Sequence, residues 1–399
     1  MKKIVKMSLV AAVAVAGLTT ANAKPLEEAI KNVDVSGTVV YRYNDYNEKN
    51  SDASQTNNYK IGLNLSSKVN DDVKLNTRFI VGSTSNDFVT LDTNGNDSQA
   101  NVGLSQVYFS YTGIANTTVN VGKQGLTTPW TVAIDSDGNE QTGTGILALS
   151  SVGPVTLAAA YFNQTNLNES GELASTLNSL ANAGSGAASA TNAGGAAVST
   201  VGVIANVGPV TLNGWYLDME DIFDTYTLGA KASFDLDAVK LGADVSYTSL
   251  DRDDVATDNN AIKVILTAKA GIVDGKYVYV GTDKEGGITA VDRDAATSFI
   301  TWNIWTNNKT DADLHHLSVG VQALDTVHVS ANFTTMDYNS GAIGSAADDS
   351  QEELYAQVVY NMSKNLSTYV RFGTYEEETN NVKTTEQDYR GRLQVQYSF

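Results

Sequence analysis

A two-residue hydrophobic period recurs along most of this chain and constrains its fold more than any other feature. Val33, Val35, Gly37, Val39, Tyr41 and Tyr43 alternate with Asp34, Ser36, Thr38, Val40 and Arg42. Tyr59, Ile61, Leu63 and Leu65 alternate with Lys60, Gly62, Asn64 and Ser66, and the pattern returns at 73–81, 226–234, 239–247, 262–268 and 327–333. Period two puts successive side chains on opposite faces of a sheet. By itself it fits either a lipid-facing sheet or a sandwich core. Two features favour lipid. The opposite face carries Arg42, Lys60, Lys74, Arg78, Lys231 and Lys263, which suit a wet lumen. The apolar face mixes aromatics with Gly37, Ala230, Ala232 and Ala243, which would fill a globular core poorly but need only be apolar against lipid.

The connections alternate in length. Short links fall at 69–72, 112–117, 152–154, 206–209, 235–238, 271–275, 325–326 and 361–365. Longer polar stretches fall at 44–58, 83–101, 125–144, 164–197, 218–224, 250–260, 284–312, 337–351 and 376–386. Eight turns and nine loops join 18 strands, with short turns on the periplasmic side and long loops outside. The expected fold is therefore all-β, an 18-stranded transmembrane antiparallel β-barrel. Ser298–Trp305 is strand-like, but another crossing would break the alternation, so it is placed within loop 284–312. Closure also pairs every backbone group in hydrocarbon. In the last strand Tyr389, Leu393, Val395, Tyr397 and Phe399 share one face, and Arg390, Arg392, Gln394 and Gln396 the other. Ending the chain on Tyr397 and Phe399 reads as an outer-membrane insertion signal, with the barrel assembly machinery as partner.

The address comes from the other end. Lys2, Lys3 and Lys6 precede an apolar run, Met7–Leu18, and Ala21-Asn22-Ala23 is a small-x-small cleavage site. Residues 1–23 are read as a signal peptide and 24–399 as one barrel domain in the outer membrane of a Gram-negative cell. Cleavage removes three lysines, leaving 23 basic against 45 acidic residues, and moves the net charge from -19 to -22. This acidity excludes a nucleic-acid partner. The absence of Cys excludes a disulfide scaffold, Cys-based metal sites and a thiol nucleophile. No Gly-x-Ser-x-Gly, phosphate loop or dinucleotide fingerprint is present, so no enzyme is expected. Asp251–Asp254 and Asp292–Asp294 are read as solvated loop charges.

Two loops differ in character. Loop 164–197 is rich in Asn, Ala, Gly and Ser, and is expected outside. Segment 125–144 contains Pro129, Trp130, Ile134, Asp135, Asp137 and Glu140. Apolar residues on a loop need something to pack on. Folding into the lumen would supply it, with Trp130 and Ile134 as anchors and the carboxylates of Asp135, Asp137 and Glu140 facing water. The alternative is an external loop with solvated acids. Basic residues on the opposite wall would complete a transverse field; the candidates are Arg42, Lys60, Arg78, Lys123, Arg371, Arg390 and Arg392. The functional expectation is a water-filled channel for passive diffusion of ions and small hydrophilic solutes, mildly cation-selective. Its nearest competitor, a substrate-specific channel, needs an aromatic track, for which Trp215, Trp302 and Trp305 are the candidates. Acidic outer loops are suited to bridging divalent cations to lipopolysaccharide.

Pro25–Gly37 followed by Tyr41-Arg42-Tyr43, and Gly122-Lys123-Gln124 followed by Trp130, Asp135 and Gly143-Thr144-Gly145, carry a resemblance. The chain resembles the major outer membrane porins of Campylobacter and related epsilonproteobacteria. The resemblance implies an 18-stranded, trimeric general porin. It also implies that calcium can be held by acidic groups near the constriction, with Asp135, Asp137 and Glu140 as the nearest candidates.

Overall fold

The alternating segments form strands. A computed structural model describes residues 33–47, 53–83, 87–91, 100–168, 194–253, 255–339 and 348–399. Residues 1–32, which include the expected signal peptide, and most of loop 164–197 lie outside the described residues. In chain order the strands are β1 (Val33–Asn47), β2 (Ser54–Lys68), β3 (Val73–Gly82), β4 (Val89–Thr90), β5 (Asn101–Ile114), β6 (Thr117–Gly125), β7 (Thr142–Val152), β8 (Val155–Thr165), β9 (Val198–Val207) and β10 (Val210–Met219). They continue as β11 (Phe223–Leu236), β12 (Val239–Arg252), β13 (Val255–Ala270), β14 (Val273–Thr282), β15 (Thr310–Leu324), β16 (Val327–Asn339), β17 (Asp349–Asn361), β18 (Leu366–Thr379) and β19 (Val382–Ser398). Eighteen of these are barrel strands. The two-residue β4 pairs with Asn58 and Tyr59 of β2, while β3 pairs directly with β5.

Every pairing is antiparallel, and the sheet closes on itself. β1 lies against β19, with Tyr41 opposite Val395 and Arg42 opposite Gln394. The Gly37 N–H donates to Phe399 O at 2.9 Å, and the Phe399 N–H returns to Gly37 O at 3.0 Å. The terminal residue thus completes the seam. Leu228, Leu317, Val370 and Phe372 are among the exposed apolar side chains of the outer face, with Phe109, Tyr111, Tyr161, Tyr247 and Tyr397 as outward aromatics. The tight turns suit their residues. Gly153, at φ 57°, precedes Pro154 in the β7–β8 turn, a backbone region that L side chains rarely adopt.

Three expected loops are much shorter than the sequence suggests. At 376–386, β18 and β19 continue until only Asn380 and Asn381 remain, both at positive φ. At 250–260, β12 reaches Arg252 and β13 begins at Val255. Between Met219 and Phe223 only three residues intervene. The tip of the 376–386 hairpin is wet on both faces, and at the other two Met219, Ile222, Phe223 and Leu250 are buried inside while the outward residues are polar. In all three the hydrophobic alternation lapses or shortens while the backbone ladder persists. Segment 298–305 stays within its loop and contributes one isolated bridge, Ile300 to Trp305.

Candidate functional site

Two long connections pack against the inner wall. One is 126–141, between β6 and β7; the other is 283–309, between β14 and β15. Trp130 is fully buried in a cluster with Leu126, Phe162, Leu217, Ile288 and Val291. Ile134 is 46% exposed. Packing of the first loop therefore rests on Trp130 and Leu126, and the expected anchoring by Ile134 is corrected. The loops are also joined through their backbones. Val291 N–H donates to Trp130 O at 3.0 Å, and Thr297 N–H to Pro129 O at 3.0 Å. The Ser136 hydroxyl donates to Asp294 Oδ2 at 2.9 Å, and the Gln141 amide donates to Asp292.

The acids of the first loop have three different environments. Glu140 is fully buried. It accepts from Arg78 Nη2 at 2.7 Å and from the Ser105 hydroxyl at 2.7 Å, and lies 3.1 Å from Lys60 Nζ. Burial alone would push its carboxyl up. The Arg78 hydrogen bonds and the Lys60 and Arg78 charges outweigh that and hold it below the usual range. Asp135 is also buried and caps its own turn, accepting from the Asn139 N–H at 2.8 Å and the Asp137 N–H at 2.9 Å. Gly138 closes this turn at φ 83°, and its carbonyl accepts from Lys60. Asp137 is half-exposed between Arg42, at 3.2 Å, and Arg293. The expectation that all three carboxylates face water thus holds for Asp137 and is corrected for Asp135 and Glu140.

Of the basic candidates, Arg42, Lys60 and Arg78 grip the first loop from the inner faces of β1, β2 and β3. Arg371, Arg390 and Arg392 stand on the lumen side of β18 and β19. Lys123 does not belong with them. It shares the parity of Val121, which is 50% exposed, and stands opposite Val107 of β5. Lys123 is on the outer face, where a long stem can run along apolar surface toward the interface.

The second loop was the larger omission. Asp292 is fully buried rather than solvated. Oxygens of Asp135, Asp292 and Asp294 lie within 4.8 Å of one another. Burial, with the Asp292 charge next, pushes the Asp135 carboxyl up to about 7, and burial pushes Asp292 up to about 6. Such a group is able to hold a metal ion. The donor set differs from the expected Asp135, Asp137 and Glu140. Arginines occupy Asp137, and Arg78, Lys60 and Ser105 occupy Glu140, so Asp135 is the one shared member. The same test applied to 125–144 would have found this loop, since Ile288, Val291, Phe299, Ile300, Ile304 and Trp305 also need something to pack on. Lys263 Nζ of β13 donates to Ser298 O at 2.8 Å, and Glu353 of β17 accepts the Trp302 and Asn303 N–H groups at 3.1 and 2.9 Å.

A cavity of about 520 Å³ separates the loop tips from the wall of β1, β18 and β19. Arg42, Arg371, Arg390 and Arg392 line it from the wall, and Asp137, Arg293 and Asp294 from the loops. Trp302, Trp305 and Tyr369 are also in its lining. A second cavity, about 400 Å³, lies against β5–β10 and includes Trp215, Leu147 and Phe162.

A closed barrel with an apolar outer face, and a polar interior narrowed by its own loops, defines the class: an outer-membrane porin, a transport protein rather than an enzyme. Its place is the outer membrane of a Gram-negative cell. The family model described as Campylobacter major outer membrane protein matches residues 1–399. The chain belongs to that family. No curated protein matches. Among solved structures, OpdQ of Pseudomonas aeruginosa aligns at 15% identity with a TM-score of 0.73, covering 92% of this chain and 99% of its own. OccAB3 of Acinetobacter baumannii aligns at 13% identity with a TM-score of 0.72, with the same coverage. OccK2 (OpdF) of Pseudomonas aeruginosa gives 14% and 0.72, covering 92% and 98%. At these identities the likeness is one of fold.

Proposed function

We propose that the mature chain, released after Ala23, forms a water-filled channel for passive diffusion of ions and small hydrophilic solutes, with mild cation selectivity. The observation that carries this reading is the pair of loops pinned inside an otherwise continuous barrel. They narrow the lumen and set Asp137 and Asp294 across a cavity from the arginines of β1, β18 and β19. Opposed charge across a narrow aqueous space orients dipolar solutes. The selectivity reading rests on the mature net charge of -22, whose carboxylates concentrate cations at the mouths.

Calcium is assigned to Asp135, Asp292 and Asp294. Hard carboxylate oxygens suit it, and its charge would relieve repulsion among three partly desolvated acids. The channel assembles as a homotrimer through flat Ala-, Val- and Leu-bearing outer faces. The barrel assembly machinery inserts it by its Phe399 end, and acidic outer loops meet lipopolysaccharide through divalent cations. Reconstitution in planar bilayers tests the central claim. An ohmic current with a reversal potential on the cation side of zero in a salt gradient supports it. A clear anion preference overturns the selectivity, and the absence of an aqueous current overturns the channel.

A further inference from the structure

Resting on the channel reading, we infer that the arginine-lined cavity between the loops and β18–β19 is a binding subsite for small organic carboxylates, and that such solutes pause there during passage. Arg371 and Arg392 are direct cross-strand partners. Like charges directly opposite each other destabilise a sheet, so the pair needs a reason. Arg371 donates through Nε to Gln357, and Arg392 through Nε to Asn44 Oδ1 at 2.7 Å and through Nη2 to the Tyr46 hydroxyl at 3.1 Å. Every one of these acceptors is neutral. Among the described residues no carboxylate lies within ion-pair distance of either guanidinium, whereas Arg42 and Arg78 each have one.

The wall is rich in donors and short of acceptors. Among the described residues neither Trp302 Nε1 nor Arg390 Nε, both buried, has an acceptor. Arg390 Nη1 does reach Asn303 Oδ1 at 2.6 Å, and Asp388 lies 3.8 Å from its Nη2. Two adjacent guanidinium forks match the planar, two-oxygen geometry of a carboxylate. Aromatic surface surrounds them. The Arg371 guanidinium carbon sits 4.9 Å from the Tyr369 ring centroid, and those of Arg371 and Arg392 sit 5.9 and 6.0 Å from that of Trp302. Such rings hold the guanidiniums in place and offer flat faces to the body of a solute. Asp137, paired with Arg42 and Arg293, and Asp294 stand across the cavity, so the preference for an organic carboxylate over phosphate rests on the aromatic faces, which phosphate cannot use. The cavity, about 520 Å³, admits a small organic carboxylate with room for water beside it.

Single-channel block separates this inference from the reading beneath it. The probes are benzoate, its uncharged isostere benzamide, and inorganic phosphate, on wild type and on Arg371→Gln, Arg392→Gln and Arg392→Lys. The expected result is flicker block by benzoate at least tenfold stronger than by benzamide or phosphate. That preference falls by tenfold or more in either Gln variant and by less in Arg392→Lys. Heat-modifiable migration on gels shows that each variant retains the barrel, and Arg392→Lys keeps the charge should a Gln variant misfold. Equal block by benzoate and benzamide, stronger block by phosphate, or an unchanged preference in the folded variants overturns the subsite while leaving the channel intact. A wild type without current overturns the channel itself.

Discussion

Buried charge pairs decide where each residue sits at the eyelet. Glu140 is the clearest case, because three strands, β2, β3 and β5, converge on this one loop carboxylate through Lys60, Arg78 and Ser105. Removing one partner of a buried ion pair strands the other charges, at a cost of about 3–5 kcal/mol. Glu140→Gln is therefore expected to release segment 126–141 from the wall and leave the barrel closed. Limited proteolysis should cut that segment in the folded protein, with raised single-channel conductance; unchanged cleavage and conductance would rule out the clamp. None of this pairing was readable in the sequence, where Glu140 and Asp137 look alike. Only Asp137 keeps water contact, because it sits at the loop tip between two arginines. Lys123 shows the converse error, a basic residue placed in the lumen by its charge although its strand parity turns it outward.

At the scale of the element, the strands were readable and the inner loops only partly so. Segment 125–144 was recognised through Trp130, whose indole could not be left in water. The same logic applied to 284–312, but its Thr and Asn content hid the apolar residues. The two loops behave as one unit, joined at Val291–Trp130 and Thr297–Pro129. Their shared weakness is the acidic cluster. Asp135 is raised to about 7 and Asp292 to about 6. Between an unfolded pKa near 4 and these values, the packed loops bind more protons than the released ones. The contribution of these two acids to docking is thus fully present below about pH 4 and is lost as pH rises through 6 to 7, while that of Glu140, whose carboxyl is depressed, is lost only on acidification below its usual range. With a chelator present, loop cleavage should accelerate between pH 5 and pH 8. Calcium should suppress that acceleration at pH 8 and have little effect at pH 5, where protons compete for the same oxygens. A pH-independent cleavage rate would reject the coupling.

For the whole molecule, closure is the decisive event, and it depends on residues 362 apart in sequence, Gly37 and Phe399. A barrel with an open seam would expose unpaired backbone to hydrocarbon. Deleting Phe399 removes two of the seam's hydrogen bonds and its outward ring. The expected outcome is a marked drop in heat-modifiable barrel in the outer membrane, with unfolded chain accumulating in the periplasm; wild-type yield would show that the terminus is dispensable. Alone, the sequence determined that the chain is a sheet with one wet and one apolar face, how many times it crosses, and that its two ends meet. Those properties are local or periodic, so each short segment carries its own record of them. The tertiary structure decided which acids face water, that a second loop shares the lumen, and that Arg371 and Arg392 share one cavity with no carboxylate partner among the described residues. Such properties depend on distances between residues far apart in the chain, and they come into being when the sheet curls and the loops find its inner wall.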